Sequence, residues 1–286
     1  MTTSSTSRRL REGLPLVPFA LFLLVFLVVP TVTVVTHSFY EGGVLTTERL
    51  RALGSDTAVA ALWRSLVLSG STALIGAVLG AVLCWLVTAS PPTSLLRRMV
   101  VSVCSVLAQF GGVALAFAFL AVLGLNGVLT VWAQDLLGWD LAGSGWLYSL
   151  PGLVLVYTYF QIPLMVIVFL PALEGLREQW REAAVSLGAT RWQYLREVAV
   201  PLLRPAFLGS FLLLFANAFA AYATAAALIS QGSSILPLLI RAALTSEVVL
   251  GQAGFAYALA TEMIVVVAIA MVAYAALVRR TSRWLR

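Results

Sequence analysis

The sequence predicts an all-α polytopic membrane protein with six transmembrane helices. Three observations carry this: an apolar composition, six apolar runs of spanning length, and arginines that gather on one side of those runs. Of 286 residues, 61% are hydrophobic and 10% are charged, with mean hydropathy +0.98. A soluble globular domain runs at about 45–50% apolar and about 25% charged residues. So few charges could not keep a soluble chain of this size dispersed. Composition therefore argues against a soluble enzyme, a disordered chain and a nucleic-acid-binding module.

Runs of about 20 apolar residues can cross a bilayer as helices. They fall at Leu14–Thr36, Ser65–Ala89, Met99–Gly124, Tyr148–Leu173, Pro205–Ser230 and Ala256–Val278. The first follows Arg8, Arg9 and Arg11, as a signal peptide would. Its apolar stretch is too long for such a peptide, and no small-x-small cleavage site follows Thr36, so a retained helix is expected. Residues 37–64 form a polar link with room for a short helix across Thr46–Leu53. Residues 125–147 hold Trp132, Trp139 and Trp146 with Asp135 and Asp140, the pattern of an interfacial amphipathic segment. Residues 231–255, with Gly232, Pro237, Gly251 and Gly254, read as a broken or re-entrant outer segment. No stretch is long enough for a soluble core, so residues 1–286 are expected to form one transmembrane domain.

All 18 basic residues are arginine. With the N-terminus inside, 14 of them fall on inner segments and 4 (Arg49, Arg51, Arg64 and Arg241) on outer ones. The positive-inside bias then places both termini in the cytoplasm of a bacterial plasma (inner) membrane protein. The pI near 9.8 is thus an orientation signal, and no nucleic-acid partner is expected. Cys84 and Cys104 lie in apolar runs and read as packing residues. His37 has no ligand cluster to join, so neither a metal site, a cofactor nor a catalytic set is expected.

The longest inner connection, Glu174–Arg204, reads EGLREQWREAAVSLGATRWQYLREVAVPLLR. Its charges recur at helical spacing, with Trp180, Ala183, Ala184 and Leu187 on an apolar side. Gly188 ends this first short helix in the left-handed C-terminal position. Thr190 caps a second helix through Trp192, Tyr194, Leu195 and Val198, and Pro201 and Pro205 punctuate the return to the membrane.

Within this segment Glu182-Ala183-Ala184, three residues, Gly188, nine residues and Val198-Ala199-Val200-Pro201 resemble the EAA loop of bacterial ABC importer permeases. That pattern is E-A-A, three residues, G, nine residues, I-x-L-P. Here Glu, both Ala, Gly and Pro are kept, and Val replaces Ile and Leu. The motif covers 20 residues, and the six-span layout extends the likeness to most of the chain. The resemblance implies the type I ABC importer permease fold. It also implies three kinds of protein partner besides the lipid bilayer. These are two ABC ATPase subunits, a second permease that is a homologue, and an extracytoplasmic solute-binding protein. Glu182, Ala183, Ala184, Gly188 and Pro201 would then form the ATPase-coupling element. The chain itself lacks the nucleotide-binding G-x-x-x-x-G-K-[ST], since it has no Lys, so ATP hydrolysis is expected in a partner.

Polar residues inside spans are costly and face a cavity or a neighbouring helix. Gln109 precedes Gly111 and Gly112 in the third span. Tyr157, Thr158, Tyr159 and Gln161 precede Pro163 in the fourth, where a kink is expected, and Asn217, Tyr222 and Thr224 stand among alanines in the fifth. Two readings stay open: helix-packing hydrogen bonds, or a translocation path lined by Asn217 and Tyr222. Gly76 and Gly80 form a G-x-x-x-G pair that reads as internal packing. Glu262 is the one acidic residue within an expected span, either at the outer boundary or facing a cavity that favours a cation. The text from Tyr157 through the small-residue fifth span looks most like the permease group for polyamines. That group has close relatives for iron, thiamine, sulfate and aminoethylphosphonate. A secondary transporter or channel, and then a membrane-embedded enzyme, are the competing classes.

Overall fold

The computed structural model describes residues 16–41, 44–45, 48–91, 93–140, 143, 145–229, 235–245 and 252–282. Six helical stretches among them are long and apolar enough to cross a membrane. By contact, the chain divides into two compact units, residues 1–59 with 240–262, and residues 60–239 with 263–286.

The first unit begins with α1, Val17–Phe39, whose apolar stretch has none of its residues buried. Water would not tolerate such a surface, so lipid is the solvent that suits it. One π turn, Leu24–Val28, widens the helix just before Pro30. Tyr40–Glu41 then pairs antiparallel with Val44–Leu45, a two-residue ribbon (β1, β2) that an all-α expectation did not include. The short helix expected across Thr46–Leu53 is α2, Glu48–Arg51, continued by a 3-10 turn at Ala52–Gly54. Arg49 donates from Nη1 to the carbonyls of His37 (2.6 Å) and Tyr40 (3.0 Å), which ties α2 to the end of α1. Gly254 leaves room for Arg49, because a Cβ there would lie 2.3 Å from Nε. His37 stacks on Tyr257, with ring centroids 5.3 Å apart.

The second unit holds the larger core. Helix α3 is Asp56–Thr88, α4 is Leu95–Gln109, α5 is Gly112–Leu123 and α6 is Val128–Leu137. Helix α7 is Leu150–Glu174, α8 is Glu178–Ser186, and α9 is Arg191–Ala220 with a π turn at Leu195–Ala199. Short α10, Ala223–Leu228, precedes α11, Leu236–Thr245, and α12, Gln252–Ser282; α11 and α12 each have residues in both units. Helix α7 is the hub, packed against α4 and α9, while α5 packs against α10. The G-x-x-x-G pair serves this hub. A Cβ on Gly76 would lie 2.5 Å from Gln161 Cβ, and one on Gly80 2.5 Å from Met165 Cβ, so the glycines let α3 and α7 touch. Cys84 and Cys104 are buried free thiols in the same cluster.

Three expectations about the spans need correction. The third, Met99–Gly124, is not one helix but α4 and α5, parted at Phe110–Gly111. The fifth, Pro205–Ser230, starts earlier, at Arg191, and breaks between Ala220 and Ala223. Neither Pro201 nor Pro205 ends it: the wide π turn just before Pro201 eases that residue's missing amide and ring, and the helix runs on with Pro205 inside it. Likewise α7 runs on past Pro163 and Pro171. The segment at 125–147 forms α6 and a 3-10 turn, with Trp132 and Trp139 exposed and Trp146 half-buried.

Candidate coupling loop and substrate path

The loop after α7 is built by its own residues. Helix α8 carries Glu182, Ala183 and Ala184. It stops at Gly188, whose φ of +80° is the left-handed conformation expected of it. The Gly188 amide donates to Val185 O (2.9 Å) and the Ala189 amide to Ala184 O (3.0 Å). This pair of bonds is the Schellman closure, which satisfies carbonyls a helix end would otherwise orphan. Two residues on, Thr190 caps α9: its Oγ1 accepts the Gln193 amide (3.2 Å), and Gln193 Oε1 accepts the Thr190 amide (2.7 Å). The result is a rigid helix–turn–helix corner.

The corner presents the residues of the motif outward. Glu182, Ala183 and Gly188 are exposed, and Ala184 is half-buried. Val185, Leu187 and Trp192 are 59%, 88% and 68% exposed, an apolar set that nothing in the described chain covers. Pro201 is exposed two residues after the π turn. At the loop's base, buried Arg97 pairs with Glu174 and donates to Ser90 O (3.3 Å), which anchors the end of α7 to the start of α4.

A second site forms where the two broken spans meet. A cavity of about 230 Å³ is lined by Ala108, Gly111, Gly112, Asn217, Tyr222 and Thr224, among others. Its walls carry amide, phenol and hydroxyl groups and no charged side chain. Thr224 Oγ1 donates to Gly112 O (3.2 Å), and buried Tyr157 donates from its hydroxyl to Ala221 O (2.7 Å). Gln161 Nε2, one turn along α7, donates to Leu214 O (2.9 Å). Of the three residues expected on a path, Asn217 and Tyr222 line this cavity and Glu262 does not. Glu262 is half-buried on α12, with Oε2 shielded and without a hydrogen-bond partner among the described residues. The helix-packing reading left open for Tyr157, Gln161 and Thr224 describes these bonds, but the sequence did not show that Thr224 and Tyr157 meet the breaks. The adjacent pair Gly111–Gly112 was the signal that could have found the first of them.

Residues 103–283 match the family model described as binding-protein-dependent transport system inner membrane component. The chain belongs to that family. Its loop and the breaks in both spans lie inside the matched region, and the family is one of transport permeases, not a known enzyme class. The ferric transport system permease protein FbpB of Actinobacillus pleuropneumoniae is 27% identical over 206 residues. That match covers 72% of this chain and 29% of FbpB, so the chain spans under a third of that relative's length. The sulfate transport system permease protein CysW of Synechocystis is 25% identical over 244 residues, 84% of each chain. The fold is that of a crystallised bacterial ABC transporter involved in import of the acidic polysaccharide alginate. There the TM-score is 0.74 at 18% identity, covering 97% of this permease and 96% of that chain.

Proposed function

We propose that residues 1–286 form a single transmembrane permease domain of an ATP-driven importer. In this reading both termini are cytoplasmic, an extracytoplasmic binding protein delivers the solute, and a homologous permease completes the path. ABC ATPase subunits dock on the loop through Glu182, Ala183, Ala184, Gly188 and Pro201. The observation that carries the reading is the corner at Gly188, a preformed shape with uncovered Val185, Leu187 and Trp192 at the family's coupling motif. Small Ala183 allows close approach, and Glu182 can meet a basic group on the ATPase. Closure of the ATPase pair would move the corner, and the helices would follow as near-rigid bodies.

The solute class that fits is a compact polar or charged one. Support comes from the small cavity lined by Asn217 and Tyr222, and from relatives named for ferric iron and sulfate. A polyamine is a narrower reading that rests on the likeness from Tyr157 through the fifth span and on Glu262, which is not among the cavity's lining residues, and neither relative named above is a polyamine permease. A secondary transporter or channel would need no ATPase, so copurification of an ABC ATPase with the full-length chain separates the classes. Orientation is tested by cysteines at Ser186, Ser282 and Ser144; position 144 lies outside the described residues. In intact cells an impermeant thiol reagent should reach only the one at 144, and labelling at 186 would overturn the topology.

A further inference from the structure

The fifth span breaks where its sequence supplies no breaker. From Asn217 to Ile229 it contains neither glycine nor proline and is rich in alanine, the strongest helix former. Yet α9 ends at Ala220, Ala221 is extended (φ −71°, ψ 114°), and α10 starts anew at Ala223. The facing break in the third span is different. Gly112 stands there at φ +70°, a conformation that glycine adopts freely and other residues resist. One interruption is written into the chain, and the other is imposed on it.

Two side chains impose it. In an unbroken helix the Ala221 carbonyl would accept the amide four residues on; here it accepts the hydroxyl of Tyr157, which is 0% exposed. Thr224, in the first turn of α10, is held by its bond to Gly112 O. Gln161 fixes α9 below the break through Leu214 O. A segment whose local preference opposes its tertiary setting is a two-state element, since a few bonds decide between its packings.

We propose that Tyr157 and Thr224 are positioning residues that hold 221–222 unwound and the cavity open. Rewinding α10 onto α9 closes it. The inference rests on reading the cavity as the solute path. The test is hydrogen–deuterium exchange, read on peptides across 218–228 in the full-length protein in lipid nanodiscs. The first amides of a helix have no intrahelical partner, so in the wild type those of α10 exchange readily into a wet cavity. Tyr157→Phe removes only the hydroxyl. It should slow exchange at 222–225 roughly 2- to 10-fold, the shift expected from one lost neutral hydrogen bond. Thr224→Val should act in the same direction, and exchange at 112–116 should not change. Faster exchange in the variants would mark Tyr157 and Thr224 as ordinary packing groups and overturn the proposal. Unchanged exchange in both would overturn it too. The path reading has its own readout, reaction of Asn217→Cys with a small water-soluble methanethiosulfonate. No reaction there, with exchange still slowed by Tyr157→Phe, would keep the lock and remove the path.

Discussion

The turn at Gly188 and the break at Ala221 both interrupt a helix, and they are held in opposite ways. At Gly188 the chain supplies everything within ten residues, 184–193: a left-handed glycine, a Schellman pair and a Thr190–Gln193 capping box. At Ala221 the chain prefers a helix, and partners 64 and 112 residues distant hold it open, Tyr157 through Ala221 and Gly112 through Thr224. A corner that must keep its shape against a partner protein is built locally, so it survives movement of the helices around it. A segment that must change shape is held by bonds that the same movement can break.

The comparison can be broken most strongly at Gly76. Its absent side chain lets α3 touch Gln161, one turn from Tyr157, so Gly76→Val should displace the strut that reaches the fifth span. Overpacking of this kind costs about 1–3 kcal/mol. It should lower the thermal unfolding midpoint in detergent. Gly70→Val in the same helix, where a Cβ meets nothing within 4 Å, should not. A smaller effect is expected at the corner. Thr190→Ala removes one cap, worth about 1 kcal/mol. Amide exchange at 191–193 should quicken while the fifth-span break keeps its wild-type exchange. The smallest change sharpens the contrast. Ala221→Gly disfavours the wound helix by about 0.8–1.0 kcal/mol. Added to Tyr157→Phe it should restore fast exchange at 222–225, whereas a packing defect would only worsen.

Legibility in the sequence follows the same division. The corner could be read because Gly188 and Thr190 act on neighbours within a turn or two, and the chemistry of each fixes one backbone shape. The third-span break was half legible: Gly111 and Gly112 stood out, but an apolar run of spanning length outweighed them. Nothing between Asn217 and Ile229 announced the fifth-span break, because its cause lies on α5 and α7. Pro201 and Pro205 misled in the other direction. They read as punctuation, yet the helix runs through both, eased at Pro201 by a π turn at Leu195–Ala199. Spans of this kind are set by length and hydropathy, while their interruptions are set by contacts that length and hydropathy do not encode.

Under the proposed function, the corner at Gly188 couples an ATPase to these helices. A Cβ at Gly188 would meet nothing within 4 Å in this chain, so within it a side chain there acts through the backbone, and any further effect is against the docked ATPase. For most residues the left-handed conformation costs about 1–2 kcal/mol, and asparagine tolerates it. The direct measurement is ATPase retention and binding-protein-stimulated ATP hydrolysis by the reconstituted complex, comparing Gly188→Val with Gly188→Asn. The account predicts that the valine variant inserts normally but releases the ATPase or loses stimulation, while the asparagine variant stays near wild type. Wild-type retention and stimulation in the Gly188→Val complex would contradict it.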